Sequence, residues 1–338
     1  ESVSSFQALM VSTASRVGTG NIVGVSSAIC IGGVGSVFWM WIIAILGSAS
    51  ALAESTLAQI YKKKGEDGKC YGGPAYYIEA ALHSRGLAVV FCIAMILTYA
   101  FGFNMLASYN LQSTFAGQPF YNAEITPWII GGILSLVMGW CLLGGGNRIV
   151  KVTSTLVPFM GIAYILVSLL VVVLNIGQLP SVMAQIFKEA FDFKAIFAGF
   201  AGSAMMQGIR RGLYSNEAGI GSAPNAAASA VVSHPVKQGL VQMLSVFIDT
   251  LLLCTATAMM CLVSGVIPAK ELQGAPWVQA ALHKTLGSFG PYFIMIAMVL
   301  FAFTTLLGNC FYCDNLLTYI HKKQPDRKFM TGFRIVSA

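Results

Sequence analysis

The stretch Val17-Gly18-Thr19-Gly20-Asn21 interrupts an apolar run, Gln7 to Ile31, that is long enough to cross a membrane as a helix. Glycines near the middle of such a run can release the backbone from helical hydrogen bonding. Unwound backbone at membrane depth is tolerated only where it is buried in protein or lines a polar cavity, and its free N–H and C=O groups then bind ions and polar ligands. The stretch therefore indicates a binding site. The alternative is that Gly20 and Gly24 only let two helices pack closely, a common use of the Gly-xxx-Gly spacing.

A second break of the same kind occurs in the sequence Ala198-Gly199-Phe200-Ala201-Gly202-Ser203. Counted along the chain, it lies five membrane crossings after the first, and an odd number of crossings gives the two halves opposite orientations. Two glycine-interrupted spans in corresponding positions are typical of an inverted-repeat secondary transporter, which holds its substrate between the paired half-helices.

The composition supports a membrane protein. The chain has 338 residues, of which 56% are hydrophobic and only 10% charged, and its mean hydropathy is +0.73, whereas soluble domains carry about a quarter charged residues. This excludes an ordinary soluble protein and makes nucleic acid an unexpected partner despite a pI near 9.0. We predict an all-α polytopic membrane protein with eight spans, approximately Gln7 to Ile31, Ser36 to Tyr61, Leu87 to Phe115, Pro127 to Leu143, Val152 to Leu174, Ala195 to Ile209, Gln238 to Val266 and Tyr292 to Ile320.

The lysines and arginines set the orientation. With the N-terminus of the first span in the cytoplasm, fifteen of them fall on the cytoplasmic side and four outside, as the positive-inside rule requires. Three connections are too apolar for plain loops and are predicted as short helices lying on the bundle: Tyr71 to Ser84, Asn216 to His234 and Ala275 to Leu286. The chain starts without methionine and ends as another apolar run begins, so we expect a fragment.

Four further stretches are long and distinctive. They are Gly32-Gly33-Val34-Gly35-Ser36-Val37-Phe38-Trp39-Met40-Trp41, Gly72-Gly73-Pro74-Ala75-Tyr76-Tyr77-Ile78, Arg211-Gly212-Leu213-Tyr214-Ser215-Asn216-Glu217-Ala218-Gly219-Ile220-Gly221-Ser222-Ala223-Pro224 and Phe301-Ala302-Phe303-Thr304-Thr305-Leu306-Leu307-Gly308. Together with Gly18-Thr19-Gly20-Asn21-Ile22, they resemble the alanine or glycine:cation symporter family over nearly the whole chain. The sequence departs from the family pattern at Tyr214, where phenylalanine is usual, and at Asn309, where tryptophan is common.

The resemblance implies a LeuT-type five-plus-five inverted repeat with broken first and sixth helices. Residues 1–338 would form a single transmembrane domain, with a first repeat in 1–174 and an incomplete second repeat in 195–338, lacking an N-terminal helix and the spans after the eighth. The implied function is not enzymatic. It is sodium-coupled, in some members proton-coupled, symport of alanine or glycine by alternating access in the bacterial cytoplasmic membrane. Sodium, the amino acid and membrane lipid would be the partners, with no cofactor and no other metal.

A zwitterionic substrate needs donors for its carboxylate and acceptors for its ammonium group inside a low-dielectric bundle. The amides of Thr19 and Gly20, at the start of a half-helix, suit the carboxylate, and we include Asn21 among the contacts. Carbonyls near Phe200 and Gly202 suit the ammonium group.

The third span offers side chains for the same site. Met105, Tyr109 and Gln112 follow helical spacing and are expected on one face. Tyr109 and Gln112 are therefore predicted substrate contacts, Gln112 because its amide both donates and accepts. Alternatively, Gln112 only links two helices.

Sodium prefers oxygen ligands. Thr304 and Thr305 offer adjacent hydroxyls, and the LeuT-type resemblance implies the backbone oxygens of Ala14, Val17 and Phe301 as further ligands. Without that resemblance, hydroxyls bonded back to their own helix would be the preferred interpretation.

Charged residues inside the spans need separate accounts. Arg16 and Asp314 are predicted to form a cytoplasmic gate pair, while Glu54 and Asp249 receive no role. Two other classes of protein fit the sequence less well. An intramembrane enzyme built on Ser203 would have no histidine in any span to act as its base, and a channel would use a rigid polar pore instead of broken helices.

Overall fold

The computed structural model describes residues 3–65, 68–192, 199 and 203–337. Its helices and strands, labelled in chain order, are α1 (Ser5–Arg16), α2 (Gly20–Gly32), α3 (Ser36–Ile60), β1 (Lys63–Lys64), β2 (Cys70–Tyr71), α4 (Pro74–Leu82), α5 (Arg85–Thr114), α6 (Thr126–Leu143), α7 (Gly145–Leu174), α8 (Leu179–Ala190), α9 (Ala204–Asn216), α10 (Ala223–Ala227), α11 (Pro235–Val263), α12 (Ala275–Leu286), α13 (Phe289–His321) and α14 (Arg327–Ser337). The two strands form a small antiparallel hairpin.

Six of the helices are long and apolar enough to cross a membrane: α3, α5, α6, α7, α11 and α13. They correspond to six of the eight predicted spans. The first predicted span is divided into α1 and α2, so neither half reaches full length. Of the sixth, the described part is Gly199, the capping residue Ser203 and helix α9, which runs seven residues beyond the predicted end at Ile209.

Helix α1 lies at the centre of the bundle. Every residue from Ala8 to Arg16 is buried, because α7, α10, α11 and α13 surround the helix. A helix that is buried all round has no lipid-facing side. By contrast, α6 and α7 carry strongly exposed apolar side chains such as Trp128 and Leu136, as expected for helices that face lipid.

Two spans contain a wide π-helical stretch, Leu97–Gly102 in α5 and Phe247–Cys254 in α11. Such stretches occur often at functional sites, because the extra residue re-aims the side chains of that turn. The second stretch contains Asp249, which is fully buried.

Two of the three predicted short helices are confirmed, as α4 and α12. The third prediction, a helix over Asn216 to His234, is wrong for most of its length. Only Ala223–Ala227 is helical there. The preceding turn contains Gly219 and Gly221, both with φ of +84°, and this left-handed backbone cannot continue a right-handed helix.

Candidate functional site

The first span breaks where the glycines predicted it. Helix α1 ends at Arg16 and α2 begins at Gly20, leaving Val17 to Thr19 outside both helices. The amide of Gly18 donates to Oδ1 of Asn21 at 3.1 Å in place of a helical carbonyl. Since the helix stops, carbonyls in the last turn of α1 lose the amides that would follow them.

The close-packing interpretation of the glycines is confirmed at this break. A Cβ at Gly18 would collide with the hydroxyl of Thr305 on α13, and a Cβ at Gly20 or Gly24 would collide with the guanidinium of Arg211 on α9. The glycines therefore let other helices approach the break closely. The same close approach brings a hydroxyl and a cation to the unwound backbone.

A cavity of about 30 Å³ lies at this break. It is bounded by the break itself, by Phe103 and Ala107 of α5, by Thr305 of α13, and by α9 and the turn after it. A volume of this size holds about one or two waters. The central site is therefore closed in this structure, whereas two larger cavities, of about 400 and 680 Å³, lie at the predicted cytoplasmic end of the bundle.

In the structure, the face of the third span that is turned toward the interior of the bundle differs from the predicted one. Asn110 Nδ2 donates to Thr19 Oγ1 at 3.2 Å, and Asn110 is buried whereas Tyr109 is 64% exposed. Gln112 accepts a hydrogen bond from the hydroxyl of Tyr121, at 2.8 Å. Neither Tyr109 nor Gln112 lines the cavity. Polar residues occur on both faces of this helix, so only packing against α2 shows which face is turned inward.

The break in the sixth span is only partly described. Phe200 and Gly202, the predicted ammonium contacts, lie outside the described residues. Gly199 is in a bend, and Ser203 caps α9 by accepting from the amide of Met206 at 3.3 Å.

The predicted sodium ligands lie on α1, on its C-terminal cap and on α13, and α1 and α13 pack against each other. Ala14 and Val17 are buried at the end of α1, and Phe301 is buried on α13. Of the two threonines, Thr304 donates to the carbonyl of Leu300 at 2.9 Å, the bond back to its own helix. Thr305 Oγ1 is buried, faces Gly18 and has no hydrogen-bond partner in the described part of the chain.

The predicted gate pair between Arg16 and Asp314 is wrong. Arg16 instead donates to the backbone carbonyl of Gln242 on α11, at 3.3 Å. Asp314 pairs with Arg334 of α14 at 2.5 Å. Asp314 lies nine residues beyond Thr305, about 13 Å farther along the helix axis, where it meets α14 and not the end of α1.

Two buried carboxylates without a predicted role are held by hydrogen bonds. Asp249 accepts from Asn21 Nδ2 at 2.7 Å, from Ser215 at 2.7 Å and from Thr250 at 2.8 Å. Glu54 Oε2 accepts from the amide of Gly221 at 3.1 Å. Asp249 therefore ties α11 to the broken first span.

A third buried carboxylate, Glu217, was missed. It accepts from the hydroxyl of Ser15 at 3.2 Å and from that of Ser222 at 2.8 Å, and it lines the central cavity. The available signal was an acid in a stretch otherwise rich in Ala, Gly and Ser. Because that stretch was predicted to be an interfacial helix, Glu217 was not predicted to be a site residue.

Glu79, Arg85 and Tyr319 form a polar latch that joins α4 and α5 to α13 at the predicted cytoplasmic end of the bundle. The hydroxyl of Tyr319 donates to Glu79 Oε2 at 2.6 Å, and Arg85 lies 3.7 Å from the other carboxylate oxygen. The Tyr319 hydrogen bond, with a smaller contribution from Arg85, lowers the pKa of Glu79 below its usual range.

A central helix broken at a small buried cavity, inside a bundle of long apolar helices, is typical of a secondary transporter. The comparisons with known proteins agree. The sequence model that describes the sodium:alanine symporter family matches residues 1–338. The chain therefore belongs to that family.

Its relatives include "Probable sodium/glutamine symporter GlnT" of Bacillus subtilis, which is 46% identical over 99% of this chain and 68% of the relative. Amino-acid carrier protein AlsT, also of B. subtilis, is 44% identical over 94% and 67%. Sodium/alanine symporter AgcS of Methanococcus maripaludis is 37% identical over 99% and 74%.

Among solved structures, MhsT in complex with L-phenylalanine matches with a TM-score of 0.67, covering 98% of this chain and 76% of MhsT. At 17% identity this likeness shows the fold alone, and that fold is the predicted LeuT type. The chain is thus a multi-pass integral membrane transporter and not an enzyme.

Proposed function

We propose that the protein couples the inward movement of sodium to uptake of a small neutral amino acid, alanine or glycine, by alternating access. The observation that carries the proposal is the contact between the unwound Gly18 and the buried hydroxyl of Thr305, which has no hydrogen-bond partner among the described residues. Hydroxyl oxygen is a ligand that hard cations prefer, and this one lies beside the backbone proposed to hold the substrate.

The amides of Thr19 and Gly20 at the start of α2 would receive the substrate carboxylate, because a helix N-terminus favours negative charge. Asn110 fixes the side chain of Thr19. Asn21 shapes the break by accepting from Gly18. Carbonyls near Phe200 and Gly202 remain the proposed partners of the ammonium group.

Sodium would bind behind the substrate, between the end of α1 and α13. Backbone oxygens of Ala14, Val17 and Phe301 and the hydroxyl of Thr305 are the proposed ligands. Thr304 would join them only by giving up its bond to Leu300. The printed name of AgcS, a sodium/alanine symporter, supports both the ion and the substrate.

Glutamine is a second candidate substrate, because one relative is named a sodium/glutamine symporter. The central cavity of about 30 Å³ is smaller than any amino acid, so the surrounding helices must move apart to admit the substrate. A larger side chain would require more movement of the surrounding helices to make room.

The test is uptake of radiolabelled alanine by purified protein in liposomes, with and without an inward sodium gradient. We expect saturable uptake that depends on the gradient and is inhibited more strongly by unlabelled glycine than by glutamine. Conductance without saturation would favour a channel. Equal uptake with a potassium gradient would exclude sodium as the coupling ion.

A further inference from the structure

The lining of the central cavity is positively charged. Arg16 of α1 and Arg211 of α9 both line it, and among the described residues around it Glu217 is the one acid. A guanidinium stays charged in proteins, whereas burial disfavours the ionised form of a carboxyl group. The lining therefore carries a net positive charge whether Glu217 is ionised or protonated. Such a cavity favours an anionic ligand.

Arg211 is placed at the first broken helix. A Cβ at Gly20, the first residue of α2, would lie 2.8 Å from both terminal nitrogens of the guanidinium. The first turn of a helix has backbone amides without helical partners and a partial positive charge. The full charge of Arg211 and the partial charge of the α2 N-terminus therefore meet at the same small cavity.

No carboxylate among the described residues pairs with Arg211. The ion pairs within 4 Å in that part of the chain join Arg85 to Glu79 and Arg334 to Asp314. Arg211 is only 6% exposed, and its Nε is buried without a hydrogen-bond partner among the same residues. A buried charge without a counter-charge in contact is costly. An anion in the cavity would therefore stabilise this side chain.

The other charged groups nearby are engaged elsewhere. A terminal nitrogen of Arg16 donates to the backbone carbonyl of Gln242 on α11 at 3.3 Å. Asp249 does not line the cavity, and its oxygens accept from three donors on other residues. Arg211 is thus the cationic side chain best placed to contact a ligand at the start of α2.

A carboxylate matches this site. Its two oxygens fit the fork of a guanidinium, which binds carboxylates through two parallel hydrogen bonds. The α-carboxylate is also the group that alanine, glycine and glutamine share. The cavity holds about one or two waters, so it can receive the two carboxylate oxygens while the helices move apart to admit the rest of the substrate.

We propose that Arg211 binds the carboxylate of the substrate and makes the transporter specific for amino acids with a free α-carboxylate. The inference rests on the proposed function and deepens it, because the amides of Thr19 and Gly20 supply only partial charges and Arg211 adds a full one. The ring of Tyr214, 5.2 Å from the guanidinium carbon, helps to hold that group in position.

The experiment compares the dissociation constants of L-alanine and L-alaninamide for the purified protein at high sodium. The two ligands have the same methyl side chain and the same amino group, and only alanine has a carboxylate. We expect the native protein to bind alanine at least about 100-fold more tightly, because the amide cannot satisfy the buried guanidinium.

Arg211→Gln should lower this ratio at least about tenfold, because alanine loses a charged partner and alaninamide does not. Arg210→Gln is the matched control, since it makes the same change at the neighbouring arginine, which is exposed and does not line the cavity. It should leave the ratio unchanged. Arg211→Lys keeps the charge but loses the fork, so its ratio should be intermediate. This variant also covers the case in which Arg211→Gln does not fold.

Three results would overturn the proposal. Equal loss of affinity for both ligands in Arg211→Gln would make Arg211 a packing residue. Equal binding of both ligands by the native protein would exclude a carboxylate site without any variant. The third is an unchanged ratio in Arg211→Gln, together with an alanine affinity that falls in the native protein alone when gluconate replaces chloride. Arg211 would then be a chloride ligand.

The outcome is separable from that of the proposed function. If the ratio depends on Arg211 but sodium affects neither binding nor uptake of alanine, the carboxylate site stands and sodium coupling fails. If a sodium gradient drives alanine uptake and the ratio is the same in Arg211→Gln as in the native protein, the proposed function stands and the role of Arg211 fails.

Discussion

The hydroxyl of Thr305 faces Gly18 so closely that a Cβ at position 18 would overlap with it, while the rest of the Thr305 side chain would be in ordinary contact at 3.5 Å. The unwound segment of the first span and the middle of α13 are therefore fitted to each other through one oxygen atom. This relationship links the proposed substrate site to the proposed sodium site.

The first prediction concerns this fit. Gly18→Ala should lower the unfolding free energy of the purified protein by about 1 to 3 kcal/mol, because the added methyl group overpacks the contact. Adding Thr305→Ala should restore stability, since the colliding atom is removed, but not sodium-dependent uptake. Gly131→Ala, where the new methyl meets nothing within 4 Å, is the control and should change neither property. A stable, fully active Gly18→Ala variant would contradict the observed packing.

The second prediction separates the adjacent threonines. Thr305→Val should raise the sodium concentration for half-maximal alanine uptake about tenfold, because valine keeps the shape and loses the ligand oxygen. Thr304→Val should raise it less, since that hydroxyl is already bonded to Leu300. By reciprocity of linkage, saturating sodium should restore most alanine affinity in Thr305→Val. The reverse order of effects would make Thr304 the ligand.

The third prediction tests the face of the third span. Asn110→Ala should weaken alanine binding by about 1 kcal/mol, because Thr19 loses the donor that positions it. Gln112→Ala should leave alanine affinity unchanged, since Gln112 bonds to Tyr121 away from the cavity. Equilibrium binding of radiolabelled alanine to each folded variant decides between them. A larger loss in Gln112→Ala would restore the face predicted from the sequence.

The fourth prediction concerns Asp249, the shared acceptor of Asn21, Ser215 and Thr250. Asp249→Ala leaves buried donors unpaired and should destabilise the protein by about 2 to 4 kcal/mol, as measured by thermal unfolding in detergent. Asp249→Asn keeps one acceptor oxygen and should lose less. Glu124→Ala, an exposed acid in the turn before α6, serves as the control and should have little effect.

The fifth prediction is a pH dependence of the polar latch formed by Glu79, Arg85 and Tyr319. Because the Tyr319 hydrogen bond lowers the pKa of Glu79 in the folded protein, the latch should stabilise the fold above the ordinary glutamate pKa. That stabilisation should be lost as pH falls through the lowered pKa. The difference in melting temperature between the native protein and Glu79→Gln should therefore be present at pH 7 and vanish in acid. A difference that persisted or grew in acid would contradict the latch.

The sequence predicted the membrane class and most of the spans because lipid imposes two constraints that are visible in one dimension. A span needs a long apolar run, and a break in it needs residues such as Gly18 and Gly20 that leave the helix easily. The end of the sixth span was misplaced since Arg210 and Arg211 look like a helix boundary. In the structure α9 continues to Asn216, and Arg211 is buried against Gly20 and Gly24.

The rotation of each helix was not determined by the sequence. Asn110 and Gln112 are both polar residues on the same span, and only the packing of α5 against α2 turns Asn110 toward Thr19. The sequence likewise contains several acidic residues that Arg16 could contact. Only the position of α11 places the carbonyl of Gln242 beside Arg16.

What the sequence by itself determined is therefore the class of protein, its family resemblance and the first broken helix, because these depend on composition and on glycines along the chain. Only the tertiary structure placed Glu217 beside Ser15 and paired Asp314 with Arg334. The physical reason is that a buried charge is stabilised by whichever polar groups surround it in space. Those groups come from helices distant in sequence.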